Sequence, residues 1–74
     1  MEIVKVDSSV VLKIGYDGNA LLVQYVGGDW YKYSHVPEKL FEQLCNATSV
    51  GHFLNTEIKP KYKEFERLSV SPKD

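Results

Sequence analysis

The fold class is decided by the stretch WYKYSHVP at residues 30–37. After its tryptophan the stretch alternates tyrosine with polar residues, which is typical of a strand with one buried face. Its last residue, Pro37, suits the first turn of a helix, because the N–H that proline lacks would have no helical partner there. A strand that runs directly into a helix predicts an α+β domain.

Two apolar runs precede that stretch and predict a hairpin. Residues 9–17 and 20–26 are rich in Val, Ile, Leu and Tyr and flank an Asp-Gly-Asn turn sequence. A two-residue loop at residues 18–19 would place six side chains on one apolar face, because side chains alternate between the two faces of a strand. The predicted pairs on that face are Tyr16–Leu21, Ile14–Val23 and Leu12–Tyr25, and Lys13 lies opposite Gln24 on the other face.

The glycines at residues 27–28 predict the next connection. A three-residue loop over residues 27–29 keeps the same face apolar and gives the pairs Tyr25–Tyr31, Val23–Tyr33 and Leu21–His35. The predicted sheet is therefore a three-stranded antiparallel meander with one face for the core and one mixed face. A short strand over residues 3–6 would make a fourth, and this alternative stays open.

Two short helices are predicted to pack on the apolar face of the sheet. Apolar residues recur at helical spacing between residues 37 and 46, with charged and amide side chains opposite them. Ser49 is a suitable N-cap for a second helix. That helix carries an apolar stripe over residues 50–58, and Pro60 ends or kinks it. Residues 60–68 fit a helix or a strand.

Length and composition limit the class of protein. A chain of 74 residues makes one domain, with a predicted core over about residues 6–68 and a flexible tail over 69–74. The single Cys45 excludes an internal disulfide. Neither a secretory leader nor a run of membrane-spanning length is present, so the expected location is the reducing cytoplasm, with no membrane partner. The net charge of −1 argues against strong non-specific attraction to nucleic acid.

No group of residues predicts catalysis. Cys45, His35 and His52 lack the paired spacing of a zinc site, and no two carboxylates are placed for acid–base chemistry. Cys45 ends an amphipathic helix and is expected to be a small packed hydrophobe. The prediction is a protein that is not an enzyme and that has no catalytic residue, no metal and no cofactor.

The mixed sheet face is the predicted binding surface. It presents two lysines, an amide and an indole, which suit phosphate and base contacts but also suit protein docking, including docking onto a second copy. An ordinary exposed sheet face is the third interpretation, and the three stay open. If RNA binds, the basic run at residues 59–63 would add phosphate contacts. The predicted surface consists of Lys13, Gln24, Trp30, Lys32, Lys59, Lys61 and Lys63.

The tyrosines of the central strand have two interpretations. Tyr31 and Tyr33 could form a platform on which unpaired bases stack. The predicted register turns both toward the helices, however, which favours core tyrosines with their hydroxyls at a polar partner. Gly51, in the first turn of the second helix, is similarly ascribed to close packing rather than to anion binding.

A set of short motifs extends over nearly the whole chain. They are Val6, Ser8, Ser9, Ile14-Gly15-Tyr16-Asp17, Tyr31-x-Tyr33, Val36-Pro37, Ala47-x-Ser49-x-Gly51-x-Phe53-x-Asn55, Ile58-Lys59 and Tyr62. Together they resemble the KTSC domain, which is named for the C-terminal extension of some lysyl-tRNA synthetases. The resemblance implies a family without an established activity, for which RNA binding has been suggested because of its place beside a synthetase. It also implies that Tyr31, Tyr33, Pro37, Ser49, Gly51 and Asn55 are structural family residues and that this chain is a stand-alone member.

Overall fold

The protein folds around one antiparallel sheet, as seen in a computed structural model that describes residues 2–69 and Pro72. Most of the predicted flexible tail over residues 69–74 lies outside the described residues. The sheet has the strand order β1-β2-β3-β4-β5, so each strand pairs with the next one along the chain. The strands are β1 (Glu2–Lys5), β2 (Val11–Tyr16), β3 (Ala20–Tyr25), β4 (Trp30–Ser34) and β5 (Phe65–Leu68).

The prediction of three or four strands understates the sheet, although the α+β class is confirmed. The optional fourth strand of the prediction is present as β1, which pairs with β2. Of residues 60–68, for which the sequence fits a helix or a strand, Phe65–Leu68 form a strand that pairs with the free edge of β4. The carbonyl of Glu64 also accepts a hydrogen bond from the N–H of Ser34, just beyond that ladder.

Two helical segments connect β4 to β5. Helix α1 (Glu38–Cys45) follows Pro37, and helix α2 (Val50–Phe53) continues into a π-helical turn over Leu54–Ile58. The predicted N-cap is confirmed, because the Ser49 hydroxyl accepts a hydrogen bond from the N–H of His52 at 3.2 Å. Within the described part of the chain, no helix has the length and apolar character needed to cross a membrane.

The first hairpin confirms the predicted pairs Tyr16–Leu21 and Ile14–Val23. Gly18, with φ of 99°, takes the positive dihedral angle that its two-residue turn requires. The predicted pair Leu12–Tyr25 is wrong, because a β-bulge between Val11 and Lys13 brings Val11 opposite Tyr25. The extra residue turns Val11 into the core and leaves Leu12 42% exposed.

The second hairpin differs from the predicted register by two residues. Val23 pairs with Tyr31 and Leu21 pairs with Tyr33, and the N–H of Tyr25 donates to the carbonyl of Asp29. A slip of two residues leaves every side chain on its predicted face, because side chains alternate with a period of two. Both tyrosines of β4 therefore face the helices, as the sequence predicts.

The core lies between that sheet face and the helices. The ring of Tyr16 stacks on Phe41 of α1, with ring centroids 5.5 Å apart. Its hydroxyl donates a 2.6 Å hydrogen bond to the carbonyl of Val36, which precedes Pro37. The core residues are Val11, Ile14, Tyr16, Leu21, Val23, Tyr33, Val36, Phe41, Leu44, Val50, Leu54 and Ile58.

Asp17 holds the first hairpin turn and gives it a dependence on pH. Its carboxylate accepts hydrogen bonds from the N–H groups of Ala20 at 2.7 Å and Asn19 at 3.1 Å. Partial desolvation raises the pKa of Asp17, but these two bonds and nearby Lys32 outweigh it and hold that pKa below its usual value. The carboxylate therefore stabilises the folded state above its unfolded pKa of about 4, and this contribution is lost as pH falls through the folded pKa.

We expect Asp17→Asn to flatten the acid limb of the stability curve. The amide keeps an oxygen for the two N–H donors but cannot titrate. The free energy of unfolding of the wild type should fall more steeply between about pH 5 and pH 2 than that of Asp17→Asn. Urea unfolding at several pH values measures both slopes. Parallel curves for the two proteins would contradict the role given to Asp17.

Candidate functional site

An aromatic groove opens on the helix-side face of the sheet, at the β4–β5 edge that the helices do not cover. Its volume is about 470 Å³, within the range of roughly 300–1,000 Å³ of pockets that hold small organic ligands. Two of its residues are apolar and unusually exposed, Val26 at 57% and Phe65 at 54%. The lining residues, which define the aromatic groove from here on, are Tyr25, Val26, Asp29, Tyr31, Tyr33, Lys59 and Phe65.

Neighbouring strands assemble the rings of the groove. Tyr31 makes an edge-on contact with Tyr25 of β3, with centroids 5.4 Å apart and an interplanar angle of 79°. Phe65 of β5 lies 5.9 Å from Tyr31 and 5.5 Å from Tyr33 between ring centroids. Because Phe65 pairs directly with Tyr33 across the two strands, both rings project from the same face. The result is a continuous aromatic wall that is partly open to solvent.

Two tyrosine hydroxyls meet inside the groove. The Tyr25 and Tyr33 oxygens are 2.8 Å apart and share one hydrogen bond. Burial, followed by the hydrogen bond to Tyr33, raises the pKa of Tyr25 far above its usual value. Burial also raises the pKa of Tyr33. Both hydroxyls therefore keep their protons at neutral pH.

Lys59 supplies a positive charge at the groove. Its ammonium nitrogen lies 5.2 Å from the centroid of the Tyr25 ring, within cation–π range. The π-helical turn sets this position, because the N–H of Lys59 bonds to the carbonyl of Leu54, five residues earlier. Among the described residues, no carboxylate lies within salt-bridge distance of the Lys59 ammonium group.

The other two charges near the groove offset each other. The Asp29 carboxylate lies 3.3 Å from the Arg67 guanidinium of β5, and both side chains are largely exposed. An exposed pair of this kind contributes little stability, but it neutralises the one carboxylate that lines the groove. The groove therefore combines apolar aromatic surface with one free ammonium group.

The predicted binding surface is divided between the two sides of the sheet. Lys13, Gln24, Trp30 and Lys32 lie together on the mixed face, since Gln24 pairs with both Lys13 and Trp30. Lys59 lies on the other side, over the core-facing ring of Tyr25. The predicted surface is thus not one continuous patch, and whether any part of it binds a ligand stays a prediction.

Trp30 has little surface to offer a ligand. Its side chain is only 5% exposed, and neighbouring Leu22 on the same face is also buried. Lys32 lies 3.9 Å from the Asp17 carboxylate and opposite Glu66 of β5. The expectation that the indole is exposed on this face is therefore wrong.

The basic run beyond the second helix is also less uniform than its sequence suggests. Lys61 is paired with Glu57 at 3.1 Å, one helical turn earlier. Lys63 is exposed in the connection to β5. Of the three lysines proposed to contact phosphates, Lys59 is the one that lines the aromatic groove.

Three of the remaining family residues, Pro37, Ser49 and Gly51, have visible structural roles. Pro37 precedes α1 with an extended backbone, and Ser49 caps α2. A Cβ on Gly51 would lie 2.7 Å from a methyl carbon of Val10, which agrees with the predicted close packing. Ser49, Gly51 and Asn55 line a shallow polar depression together with Ser8, Ser9 and other residues of both segments.

The thiol and the imidazoles do not form a cluster. Cys45 is exposed, so the expectation that it packs as a buried hydrophobe is wrong. Partial desolvation and the carboxylates of Glu2 and Glu42 raise the pKa of the Cys45 thiol, so little reactive thiolate forms at neutral pH. Over residues 2–69, no three His, Cys, Asp or Glu side chains come together as a metal-binding group.

Sequence reasoning missed Tyr25 and Phe65 as site residues. The signal for Tyr25 was present, since the predicted register already placed it beside Tyr31 on one face. Phe65 carried no such signal, because the segment around it fitted a helix or a strand. The groove exists only when β5 pairs with β4.

A sequence model described as the KTSC domain matches residues 7–62 of the chain. Among solved structures, the chain is similar to a KTSC domain protein from Yersinia pestis, with a TM-score of 0.83 and 34% identity. That similarity covers 92% of this chain and 97% of the other. Sequence and fold therefore agree over nearly the whole length of both chains.

Two relatives differ in the share of their length that is matched. A protein from Tsukamurella paurometabola is 37% identical over 60 residues, which cover 78% of this chain and 90% of that protein. A lysine–tRNA ligase from Nostoc punctiforme is 36% identical over 69 residues, which cover 90% of this chain but only 12% of the ligase. The similarity to the ligase is thus confined to a small part of it.

Proposed function

Because the chain belongs to the KTSC domain family, whose function is uncharacterised, we propose that it is a non-enzymatic domain that binds single-stranded RNA in the aromatic groove. One observation carries this proposal. Partly exposed aromatic rings and an ammonium group without a carboxylate partner among the described residues line the same groove, and proteins hold single strands with these two kinds of group.

The aromatic rings suit unpaired bases. Base–aromatic stacking tolerates any sequence because every base has a flat π-face, and Phe65 and Tyr31 present partly exposed rings for it. A base inside a duplex is already stacked and cannot enter such a groove. We therefore expect a single strand to bind more tightly than a duplex of the same length.

The net charge of −1 implies that electrostatic attraction contributes little to the affinity for RNA. A protein without a broad basic surface gains little from counter-ion release, so stacking must supply most of the affinity. The similarity to a segment of a lysine–tRNA ligase supports an RNA ligand, since that enzyme acts on a tRNA. A protein ligand is the competing hypothesis, and the absence of RNA binding would favour it.

We expect Lys59→Glu to weaken RNA binding and to lower its dependence on salt. Each phosphate contact to a single strand contributes roughly −0.7 to the slope of log affinity against log salt concentration. Losing Lys59 should therefore reduce the magnitude of the slope by about that amount. The measurement is the fluorescence anisotropy of a labelled oligouridine, titrated with protein at several salt concentrations.

The matched control is Lys13→Glu, which makes the same charge change on the opposite face of the sheet. Its affinity and salt slope should stay close to those of the wild type. If Lys13→Glu is the weaker binder and Lys59→Glu binds normally, RNA uses the mixed face and not the groove. The absence of saturable binding at low salt, where charge attraction is strongest, would contradict the proposed function itself.

A further inference from the structure

We propose, building on the RNA-binding function above, that the aromatic groove holds one unpaired nucleobase and that the Tyr25–Tyr33 hydroxyl pair donates a hydrogen bond to its edge. The flat base packs against Phe65 and Tyr31, and its sugar-phosphate backbone lies toward Lys59. The hydroxyl pair makes the groove a site for a base rather than a general apolar surface.

Counting protons on the hydroxyl pair identifies a free donor. Two phenol groups carry two O–H protons, and the 2.8 Å bond between their oxygens uses one of them. In the described part of the chain, neither hydroxyl has another hydrogen-bond partner. One O–H is therefore free to donate, and both tyrosines line the groove.

A buried or half-buried donor favours a ligand with an acceptor. Displacing water from a free O–H costs binding energy unless the ligand supplies an acceptor in return. Nucleobases offer carbonyl oxygens or ring nitrogens at the edge of a flat apolar surface. Phe65, more than half exposed, leaves room for that surface, with Tyr33 5.5 Å and Tyr31 5.9 Å away between ring centroids.

Charge complementarity supports a nucleotide over a purely apolar ligand. The free ammonium group of Lys59 matches a phosphate, whereas the charge of Asp29 is offset by Arg67. An apolar peptide side chain would use the rings but would give the ammonium group no anionic partner and the free hydroxyl no acceptor. A nucleotide engages all three kinds of group at once.

Two oligomers of equal length and charge test the inference. One is a labelled oligouridine, and the other carries ribose abasic spacers in place of every base. We expect the abasic oligomer to bind at least about fivefold more weakly than oligouridine, because base–aromatic stacking contributes on the order of a five- to 150-fold gain per base. Circular dichroism checks that each variant protein is folded.

Hydroxyl removal tests the hydrogen bond separately. The double variant Tyr25→Phe/Tyr33→Phe keeps both rings and removes the donors without leaving one hydroxyl stranded. It should bind oligouridine roughly fivefold more weakly, the effect of one hydrogen bond, and should bind the abasic oligomer as the wild type does. Equal loss for both oligomers would overturn the role of the hydroxyl pair.

The outcomes separate the two proposals. If both oligomers bind the wild-type protein equally well, the protein contacts only the backbone. RNA binding itself then stands, but base stacking and the base-binding groove are refuted. If neither oligomer binds, the proposed function fails as well. Preferential binding of oligouridine, reduced in the double variant, supports both.

Discussion

Phe65→Ala should weaken the binding of single-stranded RNA by roughly five- to 150-fold, the range found when one stacked base loses its aromatic partner. Phe65 is 54% exposed, so its ring contributes more to the aromatic groove than to the core. Truncation should therefore leave the fold largely unchanged. Fluorescence anisotropy gives the affinity, and urea unfolding gives the stability of the same variant.

Leu12→Ala is the matched control for Phe65→Ala. It also removes an exposed apolar side chain from a strand region, but Leu12 lies at the β2 bulge and does not line the groove. Its RNA affinity should equal that of the wild type. If both variants lose affinity equally, or if Phe65→Ala loses none, the groove does not hold the RNA.

The second large effect is expected on stability, from Tyr16→Phe. The Tyr16 hydroxyl donates to the carbonyl of Val36, and Val36 is buried next to Pro37 at the start of α1. Phenylalanine would keep the ring stacked on Phe41 but would leave that carbonyl without its 2.6 Å partner. We expect Tm to fall by roughly 4–8 °C, the effect of one net hydrogen bond in a domain of this size.

Tyr62→Phe is the control for the loss of a phenol group. Tyr62 is partly buried and packs against the core, and its hydroxyl makes no hydrogen bond within the described residues. Its removal should change Tm by roughly 2–4 °C at most, as is usual for substitutions that break no specific interaction. Equal changes in Tm for the two variants would show that the hydrogen bond to Val36 adds no stability.

Alkaline pH provides a second test of Tyr16. Burial, reinforced by the carboxylates of Glu38 and Asp17, raises the pKa of Tyr16 above its usual value. Its contribution is complete below the unfolded pKa of about 10 and is lost as pH rises through the folded pKa. Tyr16→Phe should therefore lose less stability above about pH 10 than the wild type, as measured by urea unfolding.

The alternation of side chains along the strands made it possible to predict which residues share a face of the sheet. The register of the strands and the partner of β5 depend on long-range pairing, which the sequence does not show. The second hairpin slipped by two residues, yet Tyr31 and Tyr33 stayed on the predicted face, because the side-chain period is two. The β2 bulge carries no local signal, so Val11 and Leu12 exchanged places. Strand β5 forms because it pairs with the free edge of β4. The sequence of this short segment alone does not show that β4 is its partner.

The candidate site was predictable only in part for the same reason. The alternation of the strands correctly placed Tyr25 and Tyr31 on one face, where their rings touch, although the predicted cross-strand pair Tyr25–Tyr31 is wrong. Lys59 reaches the Tyr25 ring through a π-helical turn that depends on the packing of the chain around it. The position of Trp30 on the mixed face predicts an exposed side chain, but the residue is buried there. Membership of a strand face could be predicted from the sequence, whereas exposure on that face could not.

The most direct test of the groove is an NMR titration of the ¹⁵N-labelled protein with an unlabelled oligouridine at low salt. We expect the amide shifts to concentrate on residues of the aromatic groove, in particular Val26, Tyr31, Lys59 and Phe65. Residues of the opposite face, such as Lys13 and Gln24, should move little. Shifts confined to that opposite face, or no shifts at all, would contradict the claim that the aromatic groove binds single-stranded RNA.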